Sequence, residues 1–320
     1  EVNFFHSRAW ARVLFETYRY RPVYFGTLHS NSIGCLLPLM EVKSMFTGKR
    51  GVSLPFTDSC EPLLDNGVSL DQVLQDVCRH GQQHGWRWIQ IRGGRCNGAE
   101  PYQQYYLHEL ALKPNTEKLF SNLRPAKRRN IRKAQSQKIR IEFRDDRPSM
   151  NTYFKLHCRT RKRHGVPPQP FRFFRNIFEH VISQGQGRIV LARYQQQVVA
   201  GSIFFNFKNK ALYKFGASDM AFQYLRANDL VMWEAIRWYA EHGYESFSFG
   251  RTSPDNTGLR RFKSDWGAQE GTVNYYRYDL RQKDFVRAGG HGNTSGQHVF
   301  RLLPVSALKL VGSVLYKHMG

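Results

Sequence analysis

Apolar positions along the chain predict the same order of elements twice. In the first half, strand-like runs, a helix and a closing strand are indicated at residues 23–28, 33–42, 51–54, 69–84 and 88–91. In the second half, the same kinds of run recur at residues 188–194, 198–207, 211–216, 228–242 and 247–249. Period-two alternation marks the strands, and helical spacing of apolar residues marks the helices. Each half is therefore β-β-β-α-β, and we expect tandem copies of one α/β unit.

The junction between the helix and the closing strand repeats down to single residues. It is His-Gly-Trp at 84–86 in the first half and His-Gly-Tyr at 242–244 in the second. Glycine after a helix adopts the left-handed conformation that ends the helix, and the ring that follows fixes the turn. Two such junctions in the same context favour duplication over chance.

The repeat also predicts domain boundaries. We expect a first domain over residues 1–113 and a second domain over residues 114–285. The second domain opens with a basic segment whose helical patterns cover residues 116–137, 150–164 and 171–183. A glycine-rich, flexible linker over 286–299 and an amphipathic helix over 300–320 follow.

The charge balance predicts an anionic partner. The chain has 48 Lys and Arg residues against 25 Asp and Glu residues, which gives a net charge of +23. Such an excess favours RNA, a phosphorylated small molecule or an anionic membrane surface as a partner. A hydrophobic content of 41% is typical of folded chains and excludes general disorder.

Cysteine and histidine spacings exclude two other classes of site. The five cysteines form no C-x-x-C pair and are odd in number, so we expect reduced thiols in a cytoplasmic protein. The histidines show no H-x-x-x-H or H-E-x-x-H spacing, so no metal site is expected. No apolar run approaches the ~18 residues of a membrane span, and no signal peptide is visible.

The segment over residues 258–267 has the most informative pattern for chemistry. It places Lys263 beside two rings, Phe262 and Trp266, shortly after the strand-like run 246–250. Loops at strand ends carry many functional sites. An ammonium that aromatic rings partly shield from water binds anionic oxygen strongly, because the local dielectric constant is low. The alternative is that Phe262 and Trp266 pack in the core, because residues four apart share a helix face, while the charged side chains of the segment lie on the surface.

Several motifs occur in an order that resembles one protein family. They are Phe-His-Ser-Arg-Ala-Trp at 5–10, Leu-Leu-Pro-Leu at 36–39, Leu-Pro-Phe at 54–56, Arg-Arg-Asn-Ile-Arg-Lys-Ala at 128–134, His-Gly-Val-Pro-Pro at 164–168, Ala-Asn-Asp-Leu at 227–230 and the segment 258–267. The chain resembles, over nearly its whole length, the Fem family of non-ribosomal peptidyltransferases. The resemblance is greatest to the Fem-related proteins of bacterial exopolysaccharide and exosortase gene neighbourhoods.

This resemblance implies a fold and a catalytic centre. The fold is α/β (α+β), with two tandem acetyltransferase-like (GNAT-type) domains, each a mixed, mostly antiparallel sheet flanked by helices. Lys263 is implied to help bind the donor end and stabilise the transition state, with Phe262 as its positioning partner. Arg251 and Trp266, close to this lysine along the chain, are expected to contact substrate.

Two acidic residues of the first half are candidates to accept or orient the proton of an attacking amine. Asp65 aligns with an acidic residue that follows a Gly-Pro turn in the family's acceptor cleft, although Glu61 replaces that glycine here. Asp58 is the second candidate. The alternative is that the bound substrate moves the proton itself.

Basic side chains of the middle segment are candidates for phosphate contacts. Lys127, Arg128, Arg129 and Arg132 lie within two helical turns, and arginine forks match phosphate geometry. The alternative is a solvated basic helix. Arg163 precedes a proline-rich loop that can hold it rigidly over a cleft.

The start of the second apolar helix is a further candidate phosphate site. Tyr224, Arg226, Asn228 and Asp229 precede or begin this helix, where backbone N–H groups and the helix dipole favour anions. For Asn228 the alternative is a plain helix N-cap. No glycine lies within residues 222–227, so the glycine-rich loop usual for coenzyme A is missing, which weakens coenzyme A as the donor.

These observations predict an acyltransferase. It transfers an aminoacyl or acyl group from an activated donor to an amine of a cell-envelope or polysaccharide precursor, without a tightly bound cofactor or a metal. Aminoacyl-tRNA is the expected co-substrate, and acyl-CoA or an acyl carrier is the alternative. The acceptor is expected to be phosphorylated or lipid-linked. A non-catalytic RNA- or membrane-binding module on a transferase fold is a second alternative, because the charge alone explains binding.

The residue pattern of the C-terminal tail predicts the location of the protein in the cell. Over residues 300–318, apolar residues alternate with Arg301, Lys309 and Lys317. Such a helix either lies on an anionic membrane surface or packs into the core. We therefore expect a cytoplasmic protein with peripheral contact to the inner face of the cytoplasmic membrane.

Overall fold

The computed structural model describes residues 2–29, 32–65, 69–287 and 297–320. Their helices are α1 (Arg8–Tyr18), α2 (Leu70–Gln83), α3 (Thr116–Asn122), α4 (Pro125–Ser136), α5 (Arg147–Arg163), α6 (Phe171–Ile177), α7 (Ala227–Glu241), α8 (Thr257–Ser264), α9 (Gln297–Leu302) and α10 (Val305–Leu315). Their strands are β1 (Arg21–His29), β2 (Ser32–Ser44), β3 (Gly48–Val52), β4 (Leu63–Leu64), β5 (Trp86–Arg92), β6 (Gln103–Ala111), β7 (Arg140–Arg144), β8 (Gly187–Tyr194), β9 (Gln197–Phe207), β10 (Lys210–Ser218), β11 (Ser246–Thr252), β12 (Gln269–Asp279) and β13 (Asp284–Phe285). Short 3-10 helices (Phe4–His6, Met220–Leu225 and Tyr316–His318) and a π-helical turn (Phe178–Ile182) complete them.

Contacts divide the chain into two compact units. Unit 1 comprises Glu1–Tyr106, Thr272–Asn293 and Val314–Gly320, and unit 2 comprises Leu107–Gly271 and Thr294–Ser313. These units are not continuous along the chain, unlike the domains expected at 1–113 and 114–285. One reason is β12, which pairs with β5 from Tyr275 to Asp279 and so joins the first unit.

Unit 1 contains the first β-β-β-α-β repeat. Strands β1, β2 and β3 are antiparallel neighbours, β5 runs parallel to β3, and β12 pairs with the other edge of β5. The α2 helix makes the crossover from β3 to β5, as a parallel connection requires. Its apolar face packs on the sheet through Val73, Leu74 and Val77, against a core that includes Leu37 and Ile89.

Unit 2 contains the second repeat with the same connections. Strands β7 to β10 form an antiparallel meander, and β11 runs parallel to β10 after the crossover helix α7. The core of this unit is rich in large apolar side chains, including Phe204, Leu230, Ile236 and Phe247. The predicted α/β class and the duplicated mixed sheet are confirmed.

The glycines of the two matched junctions have the expected conformation. Gly85 has a φ of 69° and Gly243 a φ of 77°, both in the left-handed region. The preceding histidines fix the last turn, since Nδ1 of His84 bonds to the carbonyl of His80 (2.9 Å) and Nδ1 of His242 to that of Trp238 (2.7 Å). These histidines are the C-cap residues of α2 and α7, and each lies one residue before the glycine of its junction.

The tail is divided at Pro304 into α9 and α10. Within unit 2, Leu308 is fully buried and the Lys309 ammonium lies 5.5 Å from the Phe154 ring of α5, while Leu302 and Leu310 are exposed. Residues 288–296 of the expected linker lie outside the described residues. No helix among the described residues is long and apolar enough to cross a membrane. All five cysteines are free thiols.

Buried His157 makes the stability of unit 2 dependent on pH. Its ring lies between Phe174 and Phe215 and is hydrogen-bonded to Oε1 of Gln169 at 2.9 Å. Burial lowers the pKa of His157 from 6.5 to about 3. The unfolded chain therefore takes up a proton first as the pH falls. The stability from the neutral ring is fully present above the unfolded pKa and is lost below it.

We expect this one histidine to remove about 2 kcal/mol of unfolding free energy between pH 7 and pH 5. Urea unfolding at both pH values, with His157→Gln as the comparison, measures the effect. The variant is expected to lose about 2 kcal/mol less than the original protein over this range. Equal losses in the two proteins would show that His157 is not the group that titrates.

Candidate functional site

The start of α7 in unit 2 has no side-chain cap, and the N–H of Asp229 is bonded to the carbonyl of Arg226 at 3.0 Å. After β10, a 3-10 helix leads to Arg226, whose φ of 56° is left-handed, and α7 begins at the next residue without a side-chain cap. The alternative that Asn228 is a plain N-cap is wrong, because α7 begins at Ala227 and Arg226 occupies the cap position. The first N–H groups of a helix are unpaired and carry a positive partial charge.

An ion pair joins this helix start to the basic helix α4. Lys127 Nζ donates to Oδ1 of Asp229 at 2.7 Å, and Asn130 Nδ2 donates to Oδ2 of the same carboxylate at 2.9 Å. Lys127 and Asp229 are both buried. The sequence singles out Lys127 and Asp229 separately, but it does not predict that Asn130 and Asp229 meet at this lysine. Their positions in the motifs at 128–134 and 227–230 were the available signal.

The ammonium of Lys127 also lies against two aromatic rings. It is 4.0 Å from the centroid of Phe262 and 5.1 Å from that of Trp266. These are the two rings that the sequence associates with Lys263. Cation–π attraction and low solvent exposure hold this charge in place. The lysine between the two rings is therefore Lys127, contributed by α4.

These groups line a cavity of about 300 Å³ in unit 2. Its wall is formed by Lys127, Asn130, Val199, Ala200, Ser218, Asp219, Phe222, Gln223, Arg226, Ala227, Asn228, Asp229 and Phe262. Both carboxylates of this wall are paired with cations, Asp229 with Lys127 and Asp219 with Arg159. Arg226 and the start of α7 therefore favour an anionic group here, such as a phosphate or a developing oxyanion. The ring of Phe262 gives the same cavity an apolar side.

Lys263 is placed differently from Lys127. Its side chain is 3% exposed, and Nζ donates to the backbone carbonyls of Gly250 at 2.7 Å and Arg251 at 3.0 Å. Helix α8, capped by the Asn256 side chain, carries Lys263. The ammonium thus binds the end of β11, and Lys263 is not among the residues lining the 300 Å³ cavity.

A histidine that the sequence analysis did not single out lies near Lys263. His108 is fully buried on β6, and its Nε2 is 3.1 Å from Oε2 of Glu270, which also accepts a 2.6 Å hydrogen bond from Nε of Arg260. Burial, followed by the charge of Lys263, lowers the pKa of His108. The bond from Arg260 is the main reason why the pKa of Glu270 is also lowered. The contacts among His108, Glu270 and Arg260 connect α8 with β6 and β12.

Other predicted contacts of unit 2 lie outside the cavity wall. Arg129 and Arg132 are exposed on α4, Arg128 is half-buried there, and Tyr224 is exposed on the 3-10 helix. Arg163 contacts the sulfur of Met220 at 3.4 Å. Of the expected set, the structure brings together Lys127, Arg226, Asn228 and Phe262 at the cavity, with buried Trp266 behind Lys127.

The two acidic candidates belong to unit 1. Asp58 is half-buried, and its backbone carbonyl accepts a hydrogen bond from the Tyr275 hydroxyl at 2.9 Å. Asp65 is exposed just after β4, and its N–H donates to the carbonyl of Gly34 at 2.7 Å. Among the described residues, no three His, Cys, Asp or Glu side chains are grouped to bind a metal.

The cavity lies within a region that comparison with known families identifies. Residues 121–264 match the acetyltransferase (GNAT) domain. This match covers α4, the meander of unit 2, α7 and α8. It assigns the second β-β-β-α-β repeat and its cavity to an acyltransferase fold.

Solved structures extend the similarity to most of the chain. FemX is 14% identical with a TM-score of 0.69, over 88% of this chain and 93% of that chain. L-PGS from Bacillus licheniformis is 13% identical with a TM-score of 0.53, over 88% of each chain. A tandem GNAT protein from the clavulanic acid biosynthesis pathway is 9% identical with a TM-score of 0.53, over 83% and 82%. No curated protein sequence matches. The predicted Fem-like, tandem GNAT fold is confirmed.

Proposed function

We propose that this protein transfers an aminoacyl group from aminoacyl-tRNA to an amine of a cell-envelope or polysaccharide precursor. The observation that carries the proposal is the buried Lys127 ammonium at the 300 Å³ cavity of the GNAT-type unit. The basic charge of +23 supports a polyanionic donor. The sequence motifs that resemble the Fem family of peptidyltransferases support aminoacyl rather than acetyl transfer.

The chemistry requires one bond to form and one to break. The acceptor amine attacks the ester carbonyl, the carbonyl oxygen becomes an oxyanion, and the ester oxygen leaves with a proton that the amine loses. Lys127 and the N–H groups at the start of α7 are the proposed donors to the oxyanion or to a nearby phosphate. Asp58 and Asp65 remain the proposed proton acceptors, with the bound substrate as the alternative.

The other predicted residues are proposed to contact two different parts of the substrates. Arg128, Arg129 and Arg132 on α4, with Arg163, Tyr224 and Arg226, are proposed to hold the phosphates of the donor. Arg251 and Trp266 are proposed to shape the acyl site. We propose a cytoplasmic enzyme whose acceptor is phosphorylated or lipid-linked, and an exopolysaccharide or exosortase-associated role agrees with the sequence motifs.

An acyl-CoA or acyl-carrier donor is the second candidate, and one observation favours it. The cavity adjoins the N-terminus of the helix that follows the third strand of the repeat, where N–H groups suit a pyrophosphate. The match to an acetyltransferase domain agrees with this donor. The lack of glycine before α7 disfavours it.

Parallel assays with labelled aminoacyl-tRNA and labelled acyl-CoA distinguish the donors. We expect label to move from aminoacyl-tRNA into an envelope-precursor fraction, and RNase treatment of the donor to abolish the transfer. The variant Lys127→Met/Asp229→Asn, which lacks both charges, is compared in the same assays and is expected to transfer little label. Transfer that resists RNase, or that proceeds only from acyl-CoA, would overturn the tRNA donor and support the second candidate.

A further inference from the structure

The tip of the β2–β3 hairpin in unit 1 exposes two large apolar side chains side by side. Met45 is 87% exposed and Phe46 is 69% exposed. The tip is an ordered turn, because Ser44 Oγ accepts hydrogen bonds from the N–H groups of Phe46 and Thr47, both at 3.2 Å. Neither side chain belongs to the buried apolar core, and two adjacent exposed apolar side chains point to a partner.

Cations surround this tip. Lys43 lies directly opposite Lys49 in the β2–β3 register. Nζ of Lys49 donates to the backbone carbonyl of His84 at 3.2 Å, whereas Lys43 is exposed. Lys317 is in the 3-10 helix that meets the hairpin, where the His318 ring packs edge-on against Phe46 at 4.8 Å. The apolar tip is therefore bordered by positive charge.

A shallow cavity of about 370 Å³ lies beside the tip, also in unit 1. Its wall is formed by Phe46, Thr47, Arg87, Trp88, Asp279 and Arg281. The carboxylate of Asp279 is engaged locally, since it accepts hydrogen bonds from the N–H groups of Arg281 at 2.8 Å and Gln282 at 3.0 Å. Arg87 and Arg281 are thus placed to receive a phosphate next to an apolar surface.

We propose that this hairpin tip docks on an anionic lipid bilayer. Met45 and Phe46 enter the boundary between headgroups and acyl chains, and Lys43, Arg87 and Arg281 contact lipid phosphates. The charge complementarity selects an anionic membrane, and the aliphatic Met45 beside Phe46 favours acyl chains over nucleic acid bases. The inference goes beyond the proposed transfer reaction and does not depend on it. In this proposal the hairpin tip, and not the tail helix, is the principal membrane contact.

Vesicle flotation at about 150 mM salt tests the proposal, because this salt screens general attraction by the net charge. We expect binding to phosphatidylglycerol-containing vesicles and little binding to neutral phosphatidylcholine vesicles. Met45→Ser/Phe46→Ser is expected to weaken binding by about tenfold or more. Lys43→Gln/Arg281→Gln is expected to weaken it by a similar factor, since each basic residue contributes about fivefold.

The matched control is Ile33→Ser. Ile33 is 60% exposed on the same strand, but it lies near the other end of β2, about 40 Å from the tip by strand geometry. The control is expected to bind as the original protein does. Equal binding by Met45→Ser/Phe46→Ser and Ile33→Ser would overturn the proposal. So would a loss caused by Leu302→Ser/Leu310→Ser in the tail while the hairpin variant still binds.

RNA is the competing partner, and a parallel titration with an RNA oligonucleotide distinguishes it. If the hairpin variant lost RNA affinity and kept vesicle affinity, the membrane proposal would be wrong. Transfer to a soluble acceptor, measured on the same variants, is expected to be unchanged. This readout separates a failure of the docking surface from a failure of the proposed reaction.

Discussion

Replacing Lys127 with methionine is expected to reduce transfer by roughly 10²–10³-fold, the loss typical when an oxyanion donor is removed. It is also expected to lower the unfolding free energy by about 3 kcal/mol. The stability loss arises because Asp229 keeps its charge in a buried place without the ammonium 2.7 Å away. The rings of Phe262 and Trp266 lose their cation as well, although methionine preserves most of the packing.

The double variant Lys127→Met/Asp229→Asn separates the two effects. It removes both charges, and the amide oxygen introduced at position 229 still accepts a hydrogen bond from Asn130, so most of the lost stability is expected to return. Transfer is expected to stay low, because the donor group is still missing. Activities are compared at a temperature where urea unfolding shows all three proteins to be folded. If transfer returned together with stability, Lys127 would serve the fold and not the reaction.

The duplicated architecture could be predicted because its signals are local. Period-two alternation marks β8, β9 and β10 within a few residues, and the left-handed glycines at 85 and 243 mark the ends of α2 and α7. Strands β6 and β12 were not predicted. Their residues are rich in tyrosine and polar side chains, and their partner strands are distant in sequence, so local pattern gives a weak signal.

The candidate site could be predicted only in part, because the deciding contacts are not local. Neighbours along a helix point in directions about 100° apart, so Phe262 and Lys263 of α8 cannot face the same side. The sequence placed Lys263 between the rings, whereas α4 inserts Lys127 there from more than a hundred positions away. The contacts of Asp229 with Lys127 and Asn130 escaped prediction for the same reason, since these partners lie on α4.

Replacing Lys263 with methionine is expected to lower the unfolding free energy by about 3 kcal/mol. The variant leaves the buried carbonyls of Gly250 and Arg251 without the two charged hydrogen bonds from Nζ, and each unsatisfied carbonyl costs about 1–3 kcal/mol. Gly250 has a left-handed φ of 68°, so the ammonium holds this turn at the end of β11. Arg261→Met, at an exposed position of the same helix, is the control and is expected to change stability by less than about 0.5 kcal/mol.

The same variant tests the catalytic role that the sequence implies for Lys263. Because Nζ is bound to two backbone carbonyls at 2.7 and 3.0 Å, we expect the folded Lys263→Met protein to retain transfer within about tenfold. Transfer is measured under conditions where urea titration shows the variant to be folded, alongside Arg261→Met. A loss of about 10² or more in a protein of unchanged stability would mean that the ammonium leaves the carbonyls to meet the donor. A loss in proportion to the unfolded fraction would place Lys263 among the residues that position β11, with Lys127 as the cation that meets the substrate.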